Sequence, residues 1–274
     1  MTMVPRVFAV ALLLGGASTA LAKPLDVPFV PTPQPLVDRM LEMAEVGPDD
    51  YLIDLGSGDG RIPITAAREH GTRGLGVDLN PERVEEAQAA AREAGVEGTV
   101  EFREEDLFDT DISQATVLTM YLLPRVNLQL RPRILEELAP GTRVVSHAFD
   151  MDDWEPDARD RVNGQRAYLW IVPAKVAGQW QMGGGPHGPV TLALAQKYQH
   201  IEGEAMTEDG TTLPLQNATL RGAEIRFTLA SPDGMSQEYA GRVEGDTIEP
   251  LEDGAGWQAR RTATAEAFPD EAAR

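Results

Sequence analysis

Apolar residues recur along this chain with two successive rhythms. From about residue 30 to residue 173, short apolar runs alternate with longer segments of helical spacing. Leu36, Val37, Met40, Leu41 and Ala44 fall at helical intervals and predict a helix over Gln34–Val46, stopped by Gly47-Pro48. Strands are predicted over Tyr51–Leu55, Gly74–Leu79, Thr99–Glu104, Ala115–Leu122, Thr142–Ala148 and Ala167–Val172. Helices are predicted over Arg61–His70, Pro81–Ala94 and Pro124–Leu138. The last two open on proline, whose missing N–H costs nothing in a first helical turn. Strand alternating with helix in this way predicts an α/β fold, a doubly wound, Rossmann-like parallel sheet covered on both faces.

The rhythm changes after Gly183-Gly184-Gly185-Pro186-His187-Gly188-Pro189, a run that cannot continue a helix or an interior strand. Beyond it lie short strand-like runs at Thr191–Tyr198, Thr212–Leu220, Glu224–Leu229, Glu238–Val243, Asp246–Ile248 and Trp257–Arg261. Turn signals such as Glu208-Asp209-Gly210 and Pro232-Asp233-Gly234 separate them. Their spacing predicts a small C-terminal antiparallel β domain, a sandwich or partial barrel. The expected division is a sheet domain over 23–182, a Gly/Pro linker over 183–189, the β domain over 190–263 and a flexible tail over 264–274.

Residues 1–22 stand outside both rhythms. A short start carrying Arg6, the apolar run Val7–Leu14 and the small residues Ala20 and Ala22 form the pattern of a secretory signal cleaved after Ala22. The apolar run is too short for a spanning helix, so no membrane span is expected after cleavage. An exported chain, periplasmic or secreted, is the expectation; an uncleaved signal would tether it to a membrane.

Composition then narrows the chemistry. With 24 Lys+Arg against 44 Asp+Glu the net charge is −20, which repels phosphate backbones and argues against nucleic-acid partners. There is no cysteine, so disulfides, thiol nucleophiles and thiolate metal sites are excluded. The four histidines have no ligand spacing, and no metal site is expected.

The most informative segment is Asp54-Leu55-Gly56-Ser57-Gly58-Asp59-Gly60, between a strand and a helix. Glycines serve where backbone turns sharply and a ligand approaches main-chain atoms, and the carboxyl edge of a parallel sheet is where such folds bind ligands. The spacing G-x-G-x-G departs from the dinucleotide G-x-G-x-x-G, and Asp54 would repel a pyrophosphate. An acid there suits a cationic, phosphate-free ligand such as S-adenosylmethionine. Asp78, ending the next strand with Leu79 beside it, can accept from ribose hydroxyls. Glu104-Glu105-Asp106-Leu107-Phe108 follows the third strand, and a carboxylate in that turn can accept from an adenine amino group, with Leu107 or Phe108 against the ring. Taken singly, Asp78 more often reads as a helix cap leading into Pro81 and Asp106 as a solvated loop acid; the three acids together, each at a strand's carboxyl end, are more specific.

At these residues the sequence resembles the class I, seven-strand methyltransferases. Asp54–Gly60 matches their first motif, Asp78 the acid of the second and Asp106 that of the third. Val27-Pro28-Phe29-Val30-Pro31-Thr32-Pro33 together with Asp59-Gly60-Arg61-Ile62 is similar to the protein-lysine methyltransferases that include the mitochondrial enzymes acting on adenine nucleotide translocase and on ATP synthase. The resemblance implies an adenosylmethionine cofactor held by Asp54, Gly56, Ser57, Gly58, Gly60, Asp78, Leu79, Asp106 and Leu107, with Phe29 and Thr32 packed over it. The segment Thr119–Pro124 lacks the Asn-Pro-Pro-Tyr of amide and base methylators, which argues against glutamine and nucleic-acid targets.

Methyl transfer is an in-line displacement that needs no nucleophilic side chain. Tyr121 and Met120, ending the fourth strand, are the candidates for the acceptor side, with core packing as the competing reading. His147, ending the fifth, could assist proton removal, or be structural. The acid run Asp150–Glu155 could attract a cationic substrate or be merely solvated. The expected activity is N-methylation of a protein lysine or small amine. The alternative is an exported, non-catalytic binding protein on the same fold, its β domain recognising a partner. An NAD-linked enzyme is disfavoured by the glycine spacing.

Overall fold

A computed structural model of the chain describes residues 29–230 and 234–265. The expected export signal over 1–22 and all of the tail beyond residue 265 lie outside the described residues. The first half runs α1 (Gln34–Met43), β1 (Tyr51–Leu55), α2 (Arg61–His70), β2 (Arg73–Asp78), α3 (Pro81–Glu93), β3 (Val100–Glu104), β4 (Val117–Met120), α4 (Pro124–Glu137), β5 (Arg143–His147), β6 (Ala158–Val162) and β7 (Gln165–Ile171). These strands form one seven-stranded sheet in the order β3-β2-β1-β4-β5-β7-β6. The five strands from β3 to β5 are parallel, while β7 runs antiparallel to both β5 and β6.

Alternation along each strand builds two cores. Leu52, Val117, Val145 and Leu169 face α1 and α2, packing with Leu36, Val37, Met40, Leu41 and Ile62. Ile53, Leu118, Val144 and Trp170 are of the opposite parity and pack against Val126, Leu130 and Ile134 of α4. Burial on both faces explains why β1, β4 and β5 lack the apolar–polar alternation of a half-exposed strand. The start of α3 is fixed by Asn80, whose side chain accepts from Glu82 N at 2.9 Å, with Pro81 in the first turn.

The second half is a closed eight-stranded antiparallel barrel, ordered β10-β11-β12-β13-β14-β15-β8-β9. Its strands are β8 (Gly178–Gly183), β9 (Val190–Lys197), β10 (His200–Thr207), β11 (Thr212–Arg221), β12 (Glu224–Ala230), β13 (Ser236–Glu244), β14 (Thr247–Pro250) and β15 (Gln258–Thr264). Trp180, Met182, Leu192, Phe227 and Ile248 are among its fully buried side chains. Closure leaves no strand edge exposed; the expected sandwich is thereby excluded and the partial barrel is a complete one.

The Gly/Pro run over 183–189 is not a linker. It connects β8 to β9, which pair with each other from Gly178↔Leu194 to Met182↔Val190, so it is a hairpin connection inside the barrel. The change from one domain to the other falls between Ile171 and Gly178, and Thr264, expected in the tail, ends β15. Three strands, β6, β8 and β10, are not predicted by the apolar pattern. The first is an exposed edge strand, ARDRV, with no residue fully buried. β8 ends in the glycine run, and β10 turns few apolar side chains inward, chiefly Ile201 and Ala205.

Candidate active site

The glycine loop follows β1 and is folded back on β2. Gly56 N and Ser57 N both donate to Val77 O at 2.9 Å, and Gly60 N donates to Ser57 O at 2.9 Å. Gly56, Gly58 and Gly60 have φ of 76°, 54° and 76°. Such left-handed backbone is what glycine supplies without a Cβ penalty. Asp78, at the end of β2, buckles the loop to its own strand: its Oδ2 accepts from Gly58 N at 3.0 Å and its Oδ1 from Asn80 N at 2.9 Å. Asn80, not Asp78, is the cap of α3.

A cavity opens at this carboxyl edge. Asp54, Gly56, Ser57, Asp78, Leu79, Leu107 and Tyr121 line it, and Phe29 and Thr32 close it from the upstream segment. The ring of Phe29 lies over Gly58, where an added Cβ would stand 2.3 Å from Phe29 Cε2. Arg83 of α3 stacks on that ring, 4.9 Å from its centroid. Arg61, ion-paired with Asp59, donates through Nη1 to Thr32 O at 2.9 Å and ties the upstream segment to α2.

Asp54 is the unusual group. Its side chain is buried, and its Oδ1 accepts from Thr119 Oγ1 at 2.7 Å. Burial pushes its carboxyl up to about 7; the Thr119 bond opposes the shift, while neighbouring Asp59 and Asp78 add to it. Asp54 and Asp78 thus converge on the cavity beside the glycine loop, while Asp59 is paired with Arg61. The glycine cradle and this negative cluster fit a ligand that is cationic and carries no phosphate.

On the opposite wall, Tyr121 packs between His147 and Phe149, with ring centroids 3.7 and 6.4 Å away. His147 does not line the cavity. It is buried, it contacts Thr32 Oγ1 through Nδ1 at 2.9 Å, and Gln165 also hydrogen-bonds the ring. Burial lowers its pKa to about 4 despite the Gln165 bond, so the ring is neutral near pH 7. With these partners it is a strut between β5 and the upstream segment.

Two further residues lie apart from the cavity. Met120 is fully buried in the core with Leu118 and Val126. Asp106 is buried as well, and its Oδ1 accepts from Phe108 N at 2.9 Å, bracing the turn after β3. The cavity wall there is made by Glu105 and Leu107. Asn80, Arg83 and Leu122 also line it and were given no site role from the sequence, while Glu105 is a carboxylate of the turn where one was expected. Asn80 and Leu122 lie within two residues of the strand ends Asp78 and Met120, and that adjacency was the available signal; Arg83 lies in the first turn of α3. Within the acid run, Asp153 is taken by Arg131, Lys197 and the Tyr198 hydroxyl.

Comparison with known proteins agrees with this geometry. The model of the ANTKMT methyltransferase domain matches residues 54–158. A protein-lysine N-methyltransferase of Saccharolobus islandicus is 46% identical over 151 residues, which are 53% of this chain and 94% of that protein. The mouse adenine nucleotide translocase lysine N-methyltransferase is 34% identical over 149 residues, which are 54% of this chain, and there the chain spans only 64% of the relative's length. Among solved structures, a Salinibacter ruber chain described as an RNA methyltransferase, in complex with S-adenosyl-L-homocysteine, is 56% identical with a TM-score of 0.53. That match covers 54% of this chain and 96% of the other. The chain belongs to the protein-lysine N-methyltransferase family of class I methyltransferases, enzymes that use S-adenosylmethionine.

Proposed function

We propose that this enzyme transfers a methyl group to the side-chain amine of a protein lysine. The observation that carries the reading is the 46% identity to a protein-lysine N-methyltransferase across almost the whole of that relative. The acceptor wall is consistent with it. Bound adenosylmethionine supplies an electrophilic methyl on a sulfonium. The protein has to hold an acceptor in line with that methyl and exclude water. Asp54, the Gly56–Gly60 loop and Asp78 would hold the cofactor, with Leu79 and Leu107 against its base and Phe29 over the loop. A lysine attacks only as the neutral amine, and desolvation beside the rings of Tyr121 and Phe149 favours that form. His147 is assigned a positioning role through Thr32 rather than proton removal.

An RNA acceptor is the second reading, favoured by the description of the Salinibacter relative. The net charge of −20 opposes it. Radiolabelled adenosylmethionine offered with total protein and with total RNA separates the two. Label recovered as methyl-lysine after acid hydrolysis is the expected result, and label confined to RNA would replace the lysine reading. Cofactor binding without label in either fraction would favour a non-catalytic binding protein.

The same reading takes residues 1–22 as an export signal and the mature chain as periplasmic or secreted. Among the described residues no helix is long and apolar enough to cross a membrane. Cell fractionation tests this: mature protein retained in the cytoplasm would overturn it.

Asp54 gives cofactor binding a pH dependence. A cation favours the ionised carboxylate, so binding releases the proton that a group of pKa about 7 still holds below neutrality. Between pH 6 and pH 8 adenosylmethionine affinity should rise by about tenfold, following the ionised fraction of the free protein. For stability the sign is opposite. An acid raised above its unfolded value of 3.8 makes the fold less stable as pH rises through the window from 3.8 to about 7. Asp54→Asn should flatten the affinity profile; a slope equal to that of the wild type would remove Asp54 from the cofactor site.

A further inference from the structure

Residues 148–157 join β5 to β6 and run from the acceptor wall to the barrel. The connection has little regular structure of its own. Ala148 and Asp152 have φ of 68° and 58°, and one bridge pairs Met151 with Trp154. Non-glycine residues in that region persist where their surroundings over-determine them. Here two sets of side chains do so.

The first set comes from α4. Asn127 Nδ2 donates to Phe149 O and Asp150 O at 3.3 and 3.4 Å, and Arg131 Nη1 donates to Met151 O at 3.0 Å. The second comes from the turn between β9 and β10. Gln199 Oε1 accepts from Trp154 Nε1 at 3.1 Å, and Gln199 Nε2 donates to Glu155 O at 2.6 Å. Tyr198 donates its hydroxyl to Asp153 Oδ1 at 3.0 Å, and Lys197 Nζ lies 3.2 Å from Asp153 Oδ2. Tyr198 also stacks on Trp154, with ring centroids 5.8 Å apart, and is buried in the sheet domain's own core beside Trp170 and Met151. A barrel residue therefore completes the methyltransferase core.

We propose that the β9–β10 turn is a working part of the acceptor side: by holding the 148–157 connection it sets the position of Phe149 and, through it, of Tyr121, which makes Tyr198 and Gln199 positioning residues for the methyl acceptor. The inference rests on the acceptor-side reading of Tyr121 and Phe149. It also gives the barrel a role inside the catalytic unit. The relatives at 46% and 56% identity are matched over 94% and 96% of their lengths by 53% and 54% of this chain, so each match leaves nearly half of this chain uncovered.

The test uses the full chain with Tyr198→Phe, Gln199→Met and the pair together, changes that keep volume and remove the polar ties. Hydrogen exchange is followed in peptides spanning residues 148–155, and the His147 ring is titrated by NMR. In the double variant the loop amides should exchange about tenfold faster, as expected when a local tie is lost. His147 should titrate nearer its ordinary value than the wild-type value of about 4, and adenosylmethionine affinity should stay within about twofold, because the glycine loop is not touched. Met206→Ser, at an exposed site on β10, should leave all three readouts at wild-type values. If the double variant does not fold, Gln199→Met alone carries the same expectations. Wild-type exchange and titration in the tie-deleted protein would overturn the proposal, as would an equal response to Met206→Ser. Neither readout requires an acceptor, so failure of the lysine reading leaves this result standing.

Discussion

Gly58→Val is expected to weaken adenosylmethionine binding by more than about a hundredfold, a loss near 2.7 kcal/mol, in a protein that still folds. Two effects combine. Gly58 sits at φ 54°, a region that costs an L residue about 1–2 kcal/mol. A Cβ there also stands 2.3 Å from Phe29 Cε2 and 2.7 Å from Cδ2. Phe29 is 46% exposed, so its ring can swing aside rather than force the loop apart. That relief removes the cover from the cavity and breaks the stacking with Arg83. The clash therefore falls on Phe29 first and reaches the ligand through the lost cover. Gly95→Val is the matched control. Its φ is 71°, and an added Cβ there meets nothing within 4 Å, so it carries the backbone penalty without the contact. Calorimetric titration of both variants decides the matter. Equal affinities would mean that strain alone, not the Phe29–Gly58 contact, accounts for any loss, and would take the upstream segment out of the cofactor site.

How legible this molecule is from its sequence depends on how local each signal is. The alternating half was readable because burial on both faces removes apolar–polar alternation from β1, β4 and β5, and because Pro81 and Pro124 mark helix starts locally. The glycine loop was readable because its three glycines stand within five residues, although the bonds that fold it back come from Val77 and Asp78 on the next strand. Barrel closure is not a local property. Whether β15 meets β8 is decided by pairing across some 80 residues, and each strand carries only weak alternation. The run over 183–189 misled for a related reason: glycine and proline mark a turn, but not whether that turn ends a domain or a hairpin. In the site, Met120 and His147 follow strand ends as expected, yet strand alternation turns Met120 into the core, while the partners of His147 at Thr32 and Gln165 lie far off in sequence. Position along a strand gives proximity to the site; the direction of the side chain comes from long-range packing.

Asp78→Ala should reduce adenosylmethionine affinity by about 2–4 kcal/mol, the range for one or two hydrogen bonds to a charged acceptor. The carboxylate has two tasks at once. Its Oδ1 and Oδ2 receive the N–H groups of Asn80 and Gly58 and so hold the glycine loop against β2. It also lines the cavity, where further lone pairs remain for ligand hydroxyls. Alanine removes both, so part of the loss comes from a loosened loop. Asp78→Asn separates them. An amide oxygen can still accept from one backbone N–H, but the amide nitrogen would then present a donor to the other, and the negative charge is gone. Its affinity should fall between wild type and Asp78→Ala. Asp106→Ala supplies the contrast, because that carboxylate braces Phe108 N and the wall beside it is made by Glu105 and Leu107. It should lower the melting temperature more than the affinity, whereas Asp78→Ala should do the reverse. If Asp106→Ala costs more binding than Asp78→Ala, the base-recognition role belongs to Asp106 despite its burial, and the turn after β3 must open when the cofactor enters. If Asp78→Ala binds within about twofold of wild type, less than one ordinary hydrogen bond, the ribose contact lies elsewhere, and Asp78 is only the clasp that holds the glycine loop to β2.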